Sequence, residues 1–427
     1  MDSFVNLQHL QFIRIAYDRG FTDYVVIFGG VKLEIFVQPG MTFYRLSQSF
    51  AIPLPILIAA NRFTDPEQLR VGQLIIIPGY ETIDHIVQAS ETYVELADRY
   101  HVPLELIRMS NQSEPQDLQV GQTVRIPVLT RQRIVDPYTA YTSGKLEDEL
   151  MALVSRYPFI ELRTIGTSVL GKPIYEVHMG TGDKLVHVDG SFHANESITT
   201  NVIMAFMDDY ARSIVTQEPI RGLDMNVLFN TVRFSFVPMV NPDGVDLVQG
   251  ILPQDEAVRT SVLQINNGSN NFNLWKANIR GVDLNNQFPA GWSIEQQRKP
   301  KSPQPRDFPG YGPLTEPEAL TMFNLALEQP FDRVLALHTQ GEVIFWGYEG
   351  LEPPESEQIV AEYQRVSGYT PIRYVDSHAG YKDWFIQDFR RPGFTVELGR
   401  GTNPLPLSQF DEIYEETLGI FLANQYI

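Results

Sequence analysis

The chain contains no cysteine, which excludes disulfides, cysteine-ligated zinc and thiol catalysis, so any metal must sit on histidine and carboxylate. The redox compartment is left open. Positive charge is also in short supply: 33 Lys and Arg stand against 52 Asp and Glu, a net charge of −19, which works against attraction to nucleic acid or an anionic bilayer. Histidine is scarce, at 8 residues, so candidate metal ligands are few. No apolar run approaches the roughly 18 residues of a membrane span. The opening MDSFVNLQHLQFIRIAYDRG lacks a basic start followed by a sustained apolar stretch, so export by the usual signal is not expected.

What is present is a chain of 427 residues, 43% hydrophobic and 20% charged, long enough for a large core plus accessory modules. A repeat stands at the front. VQPGMTFYRLSQSFAIPLPILIAANRFTDPEQLRVGQLIIIP and VQASETYVELADRYHVPLELIRMSNQSEPQDLQVGQTVRIP share Val-Gln, Thr42 with Thr92, Pro53-Leu54 with Pro103-Leu104, Asn61 with Asn111, and Val-Gly-Gln followed by Ile-Pro. Each copy reads as strand, helix, short turn, helix, strand, with LIIIP a short strand stopped by its proline.

The repeats resemble the LysM module, a small βααβ domain, and the resemblance implies binding to glycans that contain N-acetylglucosamine. The turn that usually reads Gly-Asp-Thr is Gly40-Met41-Thr42 in one copy and Ser90-Glu91-Thr92 in the other. Two weak sites on one chain can still give avidity on a polymer. The expected organisation is an unassigned segment at 1–30, one module at 31–79, a second at 81–128 and a larger domain at 129–427. Because the resemblance starts near Val31, the native chain is expected to begin there, from a GTG start.

After residue 129 helix and strand signals alternate. KLEDELMALVSRYP, TTNVIMAFMDDYAR, PEALTMFNLALEQ and DEIYEETLGIFLAN have helical spacing, whereas KLVHVDGSF, RFSFVPMV and RVLALHT are strand-like. Such alternation predicts an α/β domain with a buried, mixed or parallel sheet. His193 and Glu196 follow one apolar strand and His338 ends another. Carboxyl ends of strands are where open α/β sheets collect ligands, and two histidines with a carboxylate suit a catalytic zinc that keeps one position open. The other histidines, His9, His85, His101, His178, His187 and His378, lack paired spacing. Taken alone, His193 and Glu196 read as a polar turn, and His338 as a hydrogen-bonded core histidine, before they read as metal ligands.

The order of motifs decides between these readings. After HANE come VPMVNPDGVDL, WKANIRGVDLNNQFP, LALHTQG and GFTVELGRG. In order and wording they resemble the zinc carboxypeptidase family over roughly residues 140–427. The resemblance implies a zinc-carboxypeptidase-like mixed sheet flanked by helices, one zinc held by His193, Glu196 and His338, and Glu397 as general base, with Glu342 its competitor. Asp283 would orient the first zinc histidine. Lys276 would stabilise the oxyanion, with Arg280 the alternative donor, and Asp243 is expected to form a turn. Tyr374 lies near the position of the family's mobile substrate-capping tyrosine.

One motif departs from the family. Its usual Asn-Arg pair grips the substrate's terminal carboxylate; here GVDLNNQF keeps Asn285 but has Asn286 in place of arginine, and a neutral amide cannot make the bidentate charged contact. Together with the glycan-binding repeats, this resembles the γ-D-glutamyl-diaminopimelate endopeptidases of spore-forming bacteria, which cut peptidoglycan stem peptides. Asn285, Asn286, His378, Lys382 and Asp383 are the candidate substrate contacts, although DSHAGYKDW reads equally as a solvated loop. The implied partners are peptidoglycan glycan strands and stem peptides. The implied place of action is the cytoplasm or forespore, during sporulation or after lysis. The competing readings are a carboxypeptidase on other peptides, a zinc-dependent amide deacylase, and an inactive murein-binding protein.

Overall fold

The computed structural model describes residues 10–13, 25–28, 31–111 and 118–427. The chain folds as two compact units, one of Met1–Gln132 with the short pieces Val154–Phe159 and Ile214–Thr216, the other of the remainder. Within the unassigned N-terminal segment, β1 (Leu10–Ile13) and β2 (Val25–Phe28) pair antiparallel. The question of where the native chain begins falls on residues mostly outside those described.

The repeats share one antiparallel sheet in the order β3 (Val31–Phe36), β4 (Leu74–Ile86) and β5 (Thr123–Leu129). The expected stop at Pro78 is absent: β4 runs from the first copy into the second. Pro78 and Gly79 fall where the β3–β4 register shifts between Lys32 and Glu34. A missing N–H and a left-handed glycine, at φ 77°, are tolerated at such an irregularity. The boundary drawn between 79 and 81 therefore lies inside a continuous strand.

Residues common to both copies satisfy the backbone. Thr42 and Thr92 cap the helices Phe43–Phe50 and Tyr93–Tyr100, accepting from the N–H of Arg45 and Glu95, and Thr92 adds a reciprocal bond with Glu95. Asn61 donates to the carbonyls of Leu57 and Ile76 and accepts from Ile76 N–H at 2.8 Å. Asn111 repeats the pattern on Ile107 and Arg125. Each amide ties the end of its second helix to the following strand, which explains its recurrence without a ligand.

The larger unit is built on an eight-stranded sheet. Its strands in chain order are β6 (Glu161–Thr167), β7 (Pro173–Met179), β8 (Lys184–Asp189), β9 (Val232–Val237), β10 (Arg333–Thr339), β11 (Val343–Phe345), β12 (Thr370–Ile372) and β13 (Gly393–Leu398). Their spatial order is β12-β11-β13-β10-β8-β9-β7-β6. The central four, β13, β10, β8 and β9, are mutually parallel, so their carboxyl ends share one edge. The chain leaves β8 toward β9 on one side, while β10 lies on the other. That reversal opens a crevice between β8 and β10.

Burial follows from composition. The helix Ile198–Thr216 is enclosed along most of its length, its buried polar residues Thr200 and Asn201 bonded to the carbonyls of Pro238 and Pro137, with Phe206 against Phe421 of the C-terminal helix at 4.5 Å between ring centres. NPDG starts a helix, Pro242–Val248: Asn241 caps it by accepting from Gly244 N–H and Pro242 takes the first turn, where proline loses nothing. Asp243 thus sits in a helix, not the expected turn, and accepts from Leu170 N–H at 2.8 Å. Among the described residues no helix is long and apolar enough to cross a membrane.

Candidate active site

His193 lies just beyond β8, Glu196 at the entry to the long helix, and His338 near the end of β10. Among the described residues these three form the one group of histidine and carboxylate close enough to hold a metal ion. Nδ1 of His193 is 2.9 Å from Glu196 Oε1, and Nδ1 of His338 is 3.1 Å from His193 Nδ1 and 3.0 Å from Glu196 Oε2. All three are buried, at 5%, 4% and 1% exposure. Two neutral imidazoles aiming lone pairs at one point repel unless a cation lies between them. Ligands about 2.0–2.1 Å from a tetrahedral zinc stand about 3.3 Å apart, so the donor set and its spacing fit that ion.

Neighbouring groups hold the ligands in place. Glu196 accepts from Thr339 N–H at 3.2 Å and from Asn403 Nδ2 at 3.3 Å; burial opposes its ionisation, but His193 and His338 outweigh that and keep it below the usual carboxylate range. Nε2 of His193 faces Asp283 Oδ1 at 3.3 Å, and the other oxygen of Asp283 pairs with Lys276 Nζ at 2.7 Å. Asp283 is fully buried, yet Lys276 and His193 hold its carboxyl well below the ordinary range. A carboxylate here fixes which ring nitrogen of His193 keeps its proton. Phe192 stacks against His338 at 6.1 Å between ring centres.

A cleft of about 430 Å³ is lined by His193 and Glu196 together with Glu397 and Lys276. Glu397 pairs in register with His338 across β13 and β10. Burial pushes its carboxyl up to about 7, helped by Glu196 and opposed by His338 and Lys276. A base near neutrality is what proton transfer in water attack requires, and a bound dication would draw the value back down. Lys276 stays protonated because Asp283 more than offsets its burial. Arg400 is bonded to Glu342, so the competing carboxylate is engaged.

Other sequence candidates fall elsewhere. Arg280 pairs with Glu316 at 3.4 Å and borders a separate cleft, so the structure does not bring it to the metal ligands. Asn285 joins the site's edge, with Nδ2 3.4 Å from His338 Nε2 and Oδ1 accepting from Tyr381 N–H at 2.9 Å. Asn286 is buried, and its Oδ1 accepts from Lys299 Nζ at 2.6 Å. DSHAGYKDW is not a loop throughout: the helix Tyr381–Phe389 begins inside it, with Lys382 and Asp383 buried and paired at 2.6 Å. His378 Nδ1 is 3.0 Å from the Tyr348 hydroxyl. Tyr374 is exposed and donates to Glu352 at 3.0 Å. None of His378, Lys382, Asp383 and Tyr374 lines the cleft.

The cleft also contains Asn195, Arg306, Gln340 and Asn403, which sequence reasoning missed. Asn195 carried a local signal, since it lies between His193 and Glu196. Arg306 and Asn403 carried none; they arrive from distant loops.

Comparison with known proteins agrees with this geometry. The zinc carboxypeptidase model matches residues 146–419, and the LysM domain model matches 36–78 and 85–127. The chain belongs to the zinc carboxypeptidase family and is a metallopeptidase of that family with two LysM domains. It is 48% identical to Gamma-D-glutamyl-L-diamino acid endopeptidase 1 of Lysinibacillus sphaericus over 92% of this chain and 100% of that protein. It is 49% identical to the uncharacterized protein YqgT of Bacillus subtilis (strain 168) over 66% of this chain and 76% of that one. Bovine thrombin-activatable fibrinolysis inhibitor, solved with a tick carboxypeptidase inhibitor, shares the fold, with a TM-score of 0.53 at 19% identity over 68% of this chain and 97% of that one.

Proposed function

We propose that the protein hydrolyses peptidoglycan stem peptides at the bond between γ-D-glutamate and the diamino acid, with the LysM domains holding it to the glycan. The observation that carries this reading is Asn286. Where a carboxypeptidase would present arginine to a terminal carboxylate, a buried neutral amide is already bonded to Lys299, and Lys299 is paired with Glu295 at 3.2 Å. An ion pair beside that amide, in place of an unpaired arginine, suits a leaving residue bearing an extra amino and carboxylate group better than a bare C-terminal carboxylate. The name of the Lysinibacillus relative, which matches along its whole length, supports the same substrate.

One zinc per catalytic domain, held by His193, Glu196 and His338, would supply a Lewis acid for the scissile carbonyl and lower the pKa of water. Glu397 takes the proton from the attacking water and passes it to the leaving amine nitrogen. Lys276 places a cation beside the carbonyl oxygen that gains negative charge, and Asp283 fixes both Lys276 and the ring of His193. Asn403 and Thr339 keep Glu196 turned toward the histidines.

The test is incubation with L-Ala-γ-D-Glu-meso-diaminopimelate, with and without a zinc chelator, and mass analysis of the products. Metal-dependent cleavage after D-Glu is expected. Release only of C-terminal L-residues from ordinary peptides would replace this reading with a carboxypeptidase, and no hydrolysis at all would leave a murein-binding role.

A further inference from the structure

We propose that Arg306 reads the α-carboxylate of the γ-linked D-glutamyl residue and that Asn195, across Lys276 from it, reads the N–H next to that carboxylate, the pairing of groups that marks the γ-linkage. The inference rests on the substrate proposed above and concerns the acyl side of the scissile bond beyond its reacting carbonyl.

Three segments lie side by side on this wall. Ala194 N–H donates to the carbonyl of Lys276 at 3.0 Å, and the N–H groups of Lys276 and Ala277 both donate to the carbonyl of Pro305, at 2.8 and 3.0 Å. These bonds fix Asn195 and Arg306 on opposite flanks of Lys276, and all three line the cleft together with His193, Glu196 and Glu397. Asn195 is 5% exposed, and its side-chain oxygen has no hydrogen-bond partner, an arrangement that penalises the protein until something donates to it. The Arg306 side chain is 58% exposed and is paired at 3.1 Å with its half-buried neighbour Asp307. Lys276, the other cation of the wall, is held by Asp283 at 2.7 Å.

The chemistry of the linkage gives that wall a ligand. In a γ-glutamyl peptide the reacting carbonyl belongs to the side chain, and the α-carbon three carbons away bears a free carboxylate and an acylated N–H. Most α-linked residues have no carboxylate at that place; an α-linked glutamate has one, also on the carbon three away, but its acylated N–H then adjoins the reacting carbonyl instead of the carboxylate. A guanidinium suits the carboxylate and makes charge-assisted bonds to it, and the unpartnered oxygen of Asn195 suits the adjacent N–H. Asn285, Asn286 and Lys382 stand outside this cleft, which leaves it to the acyl half of the substrate.

The experiment compares kcat/KM for L-Ala-γ-D-Glu-meso-diaminopimelate and for the same tripeptide with the α-carboxylate of D-Glu amidated. The intact enzyme is expected to prefer the free carboxylate by about 10- to 100-fold, the range of a lost hydrogen bond to a charged group. Arg306→Gln is expected to collapse that ratio toward one, and Arg306→Lys to keep part of it. Asn195→Ala is expected to lower kcat/KM for both tripeptides and leave the ratio standing. A wild-type ratio of one, or a ratio that survives Arg306→Gln, overturns the assignment while the endopeptidase reading stands. Collapse of the ratio in Asn195→Ala alone also overturns it, by moving the carboxylate to Asn195. Failure of the wild-type enzyme to cleave either tripeptide overturns both.

Discussion

The repeat unit and the catalytic unit use buried polar side chains in opposite ways. In the repeats, Asn61 and Asn111 bond to their own backbone, closing a helix onto a strand. In the catalytic unit, His193, Glu196 and His338 point at one another around a space that needs a cation, and the oxygen of Asn195 is left without a partner. A polar residue that recurs is therefore not in itself a sign of a site. The sign is polar atoms that converge and stay unsatisfied until a ligand arrives.

That contrast can be broken at several points. The largest effect is expected at Glu397. Glu397→Gln should lower kcat by about 10²- to 10⁴-fold while zinc content, measured by elemental analysis of the purified protein, stays the same; loss of zinc would turn Glu397 into a structural group.

Next comes a buried carboxylate that belongs to the fold. Glu318 accepts from Val169 N–H and Asn278, and burial pushes its carboxyl up from 4.5 to about 7. With the folded value raised, its contribution is fully present below 4.5 and is lost as pH climbs through about 7. Over that window the site should remove about 3 kcal/mol of stability. Glu318→Gln should flatten this part of the curve in denaturant unfolding followed against pH, and an unchanged slope would show that the ionised form is better solvated than its burial implies.

A smaller effect is expected at Asp283, where Asp283→Asn removes the charge shared by His193 and Lys276 and should weaken zinc binding by about 10- to 100-fold, read by competition with a chelator. Smallest is Thr92→Ala. Removing the reciprocal cap at Tyr93 should destabilise the second repeat by about 1 kcal/mol, seen as faster hydrogen exchange in that helix, with tripeptide hydrolysis unchanged. A fall in hydrolysis would mean that the two units do not act independently on small substrates.

Much of the site was legible because its signals are local or tied to strand ends. HANE placed two ligands within one turn, LALHT and FTVEL placed His338 and Glu397 on apolar strands, and parallel pairing of β8, β10 and β13 then brought the three to one edge. The short strands β11 and β12 were not legible, being of 3 residues each and held by their neighbours rather than by pattern. The run of β4 through Pro78 was hidden for a related reason. Proline reads as a stop unless a register shift removes the bond it would break.

By itself the sequence determined the residue types of the metal site, the two-copy repeat and the loss of arginine at Asn286, because spacing along a helix or strand is a property of the local chain. Only the tertiary structure decided which cation faces the reaction. Lys276 and Arg280 are four positions apart, yet Asp283 draws one to the cleft while Glu316 holds the other outside it. Nor could spacing bring Arg306 and Asn195 to one cleft or set Asn403 against Glu196, since a side chain's direction is set by the groups it meets, and more than a hundred residues of chain separate each pair.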